Sequence, residues 1–306
     1  MNSDGQMHHD HVKGFLYALL GTALVSTNYV TAKYGLKGFN PETFSLVWTT
    51  AASVYTFIIV VATGNIRQLM IPARAVRMIV LLGLATGVGM ILAWSGLALL
   101  DPSFASFIWR FAPVLTIMLS ALLLEERLQL RELIPVGVMV IGGGLSTFAR
   151  WHIVGTGVIL TLLAACAVSV QMLIAKMKVG EIHPNVLVFY RVSIAAVCLC
   201  MWNLLTGRAY FDDQTSFWAA TLLGAFLGPS VSFLFTFRSY KYWGLSRSSI
   251  VLTAQPLIVL PMAYLAFGKI PSGTQLIGGF IIMIGALWLV LIHRTQTAQL
   301  HEGTLR

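Results

Sequence analysis

Residues 143 positions apart repeat one another along most of this chain, and that self-similarity restricts its architecture more than any other feature. Gly14 matches Gly157, Val25-Ser26 matches Val168-Ser169, and Ala32-Lys33 matches Ala175-Lys176. Pro41 pairs with Pro184, Thr63-Gly64 with Thr206-Gly207, Ser106 with Ser249, Pro113 with Pro256, and Ile141-Gly142 with Ile284-Gly285. Between these, Leu81-Leu82-Gly83 and Gly87 match Leu222-Leu223-Gly224 and Gly228 at a spacing of 141, so the second half gains about two residues before 143 resumes.

Each copy contains five apolar runs of about 20 residues, long enough to cross a hydrocarbon core of roughly 30 Å as helices. The runs fall near 14–34, 42–63, 76–99, 103–124, 133–149, 155–176, 186–206, 217–237, 248–267 and 275–292. Of the 306 residues, 57% are hydrophobic and 10% charged, against about 25% charged in soluble domains. Isolated strands would leave backbone groups unpaired in lipid, so the runs must be helices. An odd number of crossings makes the second copy enter the membrane from the opposite side. The predicted fold is an all-α membrane protein with ten transmembrane helices in two inverted five-helix repeats. Residues 1–13 form a polar cytoplasmic tail, 14–150 the first repeat, 151–293 the second, and 294–306 a second cytoplasmic tail. Repeats of this kind enclose a mid-membrane cavity that opens to either face, as in many secondary transporters.

The net charge of +9 does not point to nucleic acid, because the basic residues are spread over short loops without a cluster. It reads instead as membrane orientation. With the N-terminus in the cytoplasm, inward loops hold Arg67, Arg74, Arg77, Arg127, Arg131, Lys176, Lys178, Arg238, Lys241 and Arg247. Outward loops hold Lys33, Lys37, Arg150, Arg208 and Lys269. This bias predicts both termini inside, in an inner or plasma membrane. The first apolar run is expected to be the first span rather than a cleaved signal. Cys166, Cys198 and Cys200 fall inside spans and read as small packing residues. His8, His9 and His11 lie in the polar tail without further ligands, so no metal is predicted there.

Arg110 stands out in the fourth run, eight residues past Pro102 and so about 12 Å along a helix. An arginine at that depth costs about 2.5–3.5 kcal/mol on insertion scales. No Asp or Glu lies in the middle of any run to neutralise it. Either it faces a cavity and contacts an anionic substrate group, or it is structural or snorkels outward. Its counterpart is Thr253, so the charge breaks the pseudo-symmetry. Trp109 adjoins it. Pro113 and Pro256 are expected helix kinks with a gating role, since proline removes an N–H and frees a carbonyl. Asn28, Tyr29, Trp94, Gln171 and Gln255 complete the candidate substrate-binding set: amides and aromatic walls around one cation suit a small polar or amphiphilic metabolite. Each amide or ring taken alone also fits interhelical packing. Lys33, Lys176 and Arg191 are weaker candidates, the two lysines being placed to snorkel at span ends. Glu125-Glu126 closes the fourth run, either as a carrier of a coupling proton or as a solvated helix end beside Arg127.

Gly83 with Gly87, Gly224 with Gly228, and the glycines of the fifth runs (Gly137, Gly142, Gly143, Gly144; Gly278, Gly279, Gly285) predict close helix approach. The chain has no HExxH, no GxSxG, no phosphate loop and no paired-carboxylate motif, so neither an enzyme nor a cofactor is expected.

The end of each half carries a family resemblance. A small-residue-rich helix with a central proline leads to a closing glutamate and then a glycine-spaced helix. Here it runs from Ala105-Ser106 through Pro113 to Glu125, then Gly137 and Gly142; the second copy runs from Ser248-Ser249 through Pro256 to Gly268, then Gly279 and Gly285. The chain resembles the EamA type of the drug/metabolite transporter superfamily over residues 14–292. It departs at Gly268-Lys269, where the closing glutamate is missing, and Arg110 is atypical of the stretch. The resemblance implies alternating access around a central cavity and export or exchange of small organic solutes such as amino acids or organic anions. The expected partners are a small-molecule substrate and the bilayer, with room for proton or counter-substrate coupling. An exporter of amphipathic toxic compounds and a non-transporting scaffold or sensor are the competing readings.

Overall fold

The computed structural model describes residues 3–112, 114–116, 118–119, 130–147, 151–178, 181–211, 214–243, 248 and 251–304. Pro113 and Glu125-Glu126 lie outside the described residues. Among those described, regular structure is helical throughout, with no strand. The helices are α1 (Ser3–Gly35), α2 (Pro41–Ala62), α3 (Ala73–Leu99), α4 (Pro102–Ile108), α5 (Leu130–Thr147), α6 (Trp151–Lys178), α7 (Pro184–Thr206), α8 (Thr215–Ala225), α9 (Phe233–Trp243), α10 (Gln255–Phe267) and α11 (Gly273–Thr304). A π-helical segment, Phe226–Ser232, joins α8 to α9 in one continuous apolar rod, with Pro229 inside it.

Among the described residues seven helices are long and apolar enough to cross a membrane, and Leu133–Thr147 and Val251–Phe267 are shorter apolar helices. Large apolar side chains face outward, Leu205 (82% exposed) and Leu265 (83%) among them. A continuous apolar exterior of this kind is stable against lipid, not water. The chain is therefore a multi-pass integral membrane protein.

Equivalent positions of the two copies start and stop helices by the same chemistry. Asn40 caps α2, its Oδ1 accepting from Thr43 N at 2.8 Å, and Pro41 fills the first turn, where no N–H is needed. His183 caps α7 through Nδ1, which accepts from Asn185 N at 3.3 Å, and Pro184 follows. Both helices end at Thr-Gly: Gly64 (φ 71°) and Gly207 (φ 61°) take the left-handed conformation that closes a helix.

The main helix pairs recur when the two copies are exchanged. α3 packs along α6, and α1 packs along α8, the π segment and α9. α2 pairs with α7, and α5 with α11. These last two pairs join equivalent helices, and both are antiparallel. At one end of the α2–α7 pair Asn185 Nδ2 donates to Thr63 Oγ1 (3.0 Å), and at the other Asn203 Nδ2 donates to the Glu42 carbonyl (3.2 Å). Midway, the Ser53 and Ser193 hydroxyls bond at 2.7 Å. In the α5–α11 pair a Cβ on Gly142 would stand 2.8 Å from the Gly278 carbonyl, and one on Gly285 2.9 Å from the Pro135 carbonyl. Only glycine permits that approach. Gly137 and Gly144, by contrast, have nothing within 4 Å of a Cβ and take no part in it.

Two sequence expectations change. Lys33 does not snorkel: its Nζ donates to the carbonyls of Leu97, Ala98 and Leu100, each at 2.8 Å, satisfying the end of α3. Cys166 and Cys200 are exposed on outer helix faces, and only half-buried Cys198 packs, against Gly87.

Candidate functional site

α4 lies at the centre of the molecule, with every residue from Pro102 to Ile108 buried. Asp101 caps it, its Oδ1 accepting from Ser103 N at 2.9 Å. The helix then tightens into a 3-10 turn, Trp109–Phe111. That turn carries Arg110, which is 5% exposed.

The guanidinium of Arg110 reaches into the break at the start of α10. Pro256 has no N–H, so the Leu252 carbonyl, four residues before it, loses its helical donor. Arg110 Nη1 donates to that carbonyl at 2.5 Å, and Nη2 donates to Gln255 Oε1. The Tyr29 phenol stands beside the guanidinium. Arg110 Nε is buried without a partner. The helix break in the second copy thus supplies the ligands for the cation of the first. Arg110 is a clamp between the halves; it does not snorkel, and among the described residues it meets no acid.

A second buried guanidinium lies elsewhere in the bundle. Arg191 on α7 is 4% exposed. Its Nη2 donates to the Pro229 carbonyl at 3.3 Å, and its plane lies 3.8 Å from the Phe233 ring centroid. Its Nε, too, is buried and unpaired. Arg191, Gln171, Leu82, Met172, Ala175, Leu187 and Phe233 line a small recess with room for about one water molecule.

The described acidic side chains do not balance these charges. Among the described residues, Asp101 caps α4, Glu42 faces Arg208 at 3.8 Å, and Glu181 bonds Lys178 at 3.1 Å, all at helix ends. Among the described residues, two guanidiniums therefore stand in an apolar interior with spare donors and no carboxylate beside them. Such a cation is costly to bury, and an anion that supplies the missing charge binds it well.

The seven candidate substrate residues divide among three places. Arg110, Gln255 and Tyr29 come together, with Trp109 half-buried at the same turn. Trp94 belongs to an aromatic cluster, 5.0 Å from Trp48 and 5.4 Å from Phe44 between ring centroids. The indole Nε1 atoms of Trp94 and Trp48 are both buried without a partner. Gln171 faces the Arg191 recess and donates from Nε2 to the Ala85 carbonyl at 3.2 Å. Asn28 sits against Gly228, next to the Pro229 whose carbonyl holds Arg191; a Cβ at Gly228 would overlap the Asn28 side chain, and Asn28 Oδ1 has no partner. Pro256 leaves the Leu252 carbonyl to Arg110; Pro113 lies outside the described residues.

Arg191 was underrated from sequence because it lies only seven residues into its span. The signal was present: its helical neighbours Leu187, Val188, Ile194 and Ala195 offer no acid. Among the described residues no group of three or more His, Cys, Asp or Glu could hold a metal ion.

The family model described as "EamA-like transporter family" matches this chain twice, over residues 12–148 and 155–291. The chain is 25% identical over 303 residues to a "Probable terminal-alkyne amino-acid exporter" of Streptantibioticus cattleyicolor, covering 94% of this chain and 96% of that protein. It is 23% identical over 288 residues to an "Uncharacterized transporter YyaM" of Bacillus subtilis, covering 90% and 93%. An "Uncharacterized transporter" of Archaeoglobus fulgidus is 25% identical over 189 residues, which span 61% of this chain and 66% of that one. A solved structure, titled only "Crystal structure of protein", superposes with a TM-score of 0.64 at 19% identity, covering 94% of this chain and 99% of its own; it shares the fold. A helical membrane architecture whose two copies pack alike, matched by one transporter model on each copy, places the chain in the EamA-like transporter family.

Proposed function

We propose that the chain is a secondary transporter, an exporter or exchanger, that moves a small organic metabolite such as an amino acid or organic anion by alternating access. In this reading residues 14–150 and 151–293 are inverted five-helix repeats, and both termini lie in the cytoplasm of an inner or plasma membrane. The antiparallel pairing of equivalent helices, α2 with α7 and α5 with α11, supports the inversion. The basic bias of the inward loops supports the orientation.

The observation that carries the substrate class is Arg110. It is buried where the halves meet, held by the carbonyl that Pro256 frees and by Gln255, and unneutralised by any acid among the described residues. An anionic group of a substrate would compete for its donors and loosen the contact between halves. Binding would then be coupled to movement through a differential affinity for two arrangements. Tyr29 and Trp109 supply the walls. The name of the Streptantibioticus relative agrees with a zwitterionic or anionic cargo.

The cluster of Phe44, Trp48 and Trp94 favours a second reading, export of amphipathic aromatic compounds. A thermal-stability screen of the purified chain separates the two, because a ligand that binds the folded state raises its unfolding temperature. Amino acids, organic acids, sugar phosphates, nucleosides and hydrophobic amines would be compared. Shifts confined to anionic and zwitterionic compounds support the first reading. Shifts produced by amines alone would replace it with the second.

A further inference from the structure

We infer that the carbonyls at the end of α3 form a monovalent-cation site of ammonium size, and that in this chain the site is filled by the chain's own Lys33. The site does not depend on the transporter reading above; only its bearing on transport does.

α3 stops differently from α7 and α10, which close on the left-handed glycines Gly207 and Gly268. It runs instead into extended backbone at Leu100 (φ −107°, ψ 160°). The last carbonyls of a helix have no partner within it. Leu100 N–H donates to the Gly96 carbonyl at 3.1 Å. The carbonyls of Leu97, Ala98 and Leu100 all turn to Lys33 Nζ, each at 2.8 Å. An ammonium has three N–H donors and no acceptor, so Lys33 is fully spent and has nothing left for a solute. Three oxygens at one distance around one positive centre are the coordination of an ion. The spacing exceeds the roughly 2.3–2.6 Å that calcium takes and the roughly 2.0–2.1 Å of magnesium. It fits a monovalent cation the size of ammonium or potassium. The charge suits one as well. A helix C-terminus is partially negative, and Asp101, fixed as the cap of α4, acts on Lys33 more strongly than the neighbouring Lys269 and Lys37 do.

Carbonyls at helix C-termini hold the coupling cations of many transporters. Here the cation is covalently attached, and it sets the corner from which α4 starts. Tyr29 lies one turn before Lys33 on α1 and stands beside Arg110. α1 therefore meets α4 at both ends, through Lys33 at the corner that begins it and through Tyr29 at the turn that follows it. In the transporter reading, the geometry of Arg110 is held at this corner without sodium or potassium from solution.

The test is thermal unfolding of the purified full chain and of Lys33→Ala in the chlorides of propylammonium, ammonium, potassium, sodium and tetramethylammonium, at one ionic strength. Propylammonium replaces the atoms that Lys33→Ala removes. In tetramethylammonium, which has no N–H and is too large for the site, Lys33→Ala should unfold several degrees below wild type. Propylammonium, ammonium and potassium should each narrow that gap, and further as their concentration rises, because a ligand of the folded state stabilises it by mass action. Sodium, for which the carbonyls must draw together, should narrow it less. Lys37→Gln removes an exposed cation at the same end, one that lies over the rings of Tyr34 and Phe267 at 5.1 and 5.3 Å, and its offset from wild type should not vary with the salt. A gap for Lys33→Ala that is equal in all the salts overturns the site. Narrowing by propylammonium and ammonium without potassium also overturns it, and leaves Lys33 as a hydrogen-bonded helix cap. Should Lys33→Ala not fold, Lys33→Arg decides: it keeps the charge, but a planar fork does not converge three N–H groups on three oxygens around one point, so it should unfold below wild type, and wild-type stability would overturn the site. No solute enters these measurements, so their failure leaves the transporter reading standing, and a failure of solute binding leaves the site standing.

Discussion

Replacing Arg110 with glutamine separates a substrate ligand from a structural clamp. The change removes two hydrogen bonds from a charged donor, to Leu252 O and Gln255 Oε1. Each is worth about 1.5–3 kcal/mol, so the loss is roughly 3–6 kcal/mol. Against this, the substitution relieves the burial of an unneutralised cation, worth about 2.5–3.5 kcal/mol on insertion scales. The net destabilisation is therefore only about 0–3 kcal/mol. Arg110→Gln should insert, and its unfolding temperature in detergent should fall by only a few degrees. Affinity for an anionic ligand should fall much further, by about ten- to a hundredfold, since a lost ionic contact of about 1.5–3 kcal/mol converts at 1.4 kcal/mol per decade. Thermal unfolding with and without ligand reads both quantities from one preparation. A collapse of stability with ligand affinity intact would refute the reading and make Arg110 purely architectural.

Other outcomes follow from the packing. Gly142→Leu should be strongly destabilising, since even its Cβ would meet the Gly278 carbonyl at 2.8 Å, an overpacking that costs about 1–3 kcal/mol or more; an unchanged unfolding temperature would contradict the close α5–α11 approach. Gly144→Ala, where nothing lies within 4 Å, should instead gain up to about 1 kcal/mol of helix propensity, visible as a small rise. Lys33→Met should lower stability by about 1.5–3 kcal/mol, because the end of α3 loses a charged donor shared by three carbonyls; the order of preference among anions should stay that of the wild type. Reporter fusions should place both termini in the cytoplasm, and an external C-terminus would break the count of five spans per half.

Much of the helical architecture was legible in the sequence because lipid imposes it. Apolar runs of spanning length must be helices, and punctuation such as Asn40-Pro41 and Thr63-Gly64 acts through local backbone chemistry visible in the residues. The fate of polar side chains was less legible, since it depends on which helix lies opposite. Arg110 could be marked as anomalous from its depth and from the absence of acids. Its bond to a carbonyl some 140 residues away could not be read, although the proline that frees that carbonyl could. Lys33 appeared to be a snorkelling end residue because its three carbonyl partners belong to another helix. Trp94, Gln171 and Asn28 share a depth with Arg110, and depth does not give azimuth; helix packing sends Trp94 to the aromatic cluster and Gln171 and Asn28 to the surroundings of Arg191. Arg191 was discounted for its shallow position, whereas Phe233 and the π segment bury it.

The most direct test of the central claim is counterflow in proteoliposomes with one carbon skeleton in three charge states. Vesicles loaded with an unlabelled carboxylate that raises the unfolding temperature would be offered the labelled carboxylate, its amide and the corresponding amine. An anion carrier should accumulate the labelled acid and neither of the others, with uptake greatly reduced in Arg110→Gln at equal insertion. Uptake of the amine or amide as fast as the acid, or acid uptake unchanged in Arg110→Gln, would contradict an anionic cargo handled through Arg110.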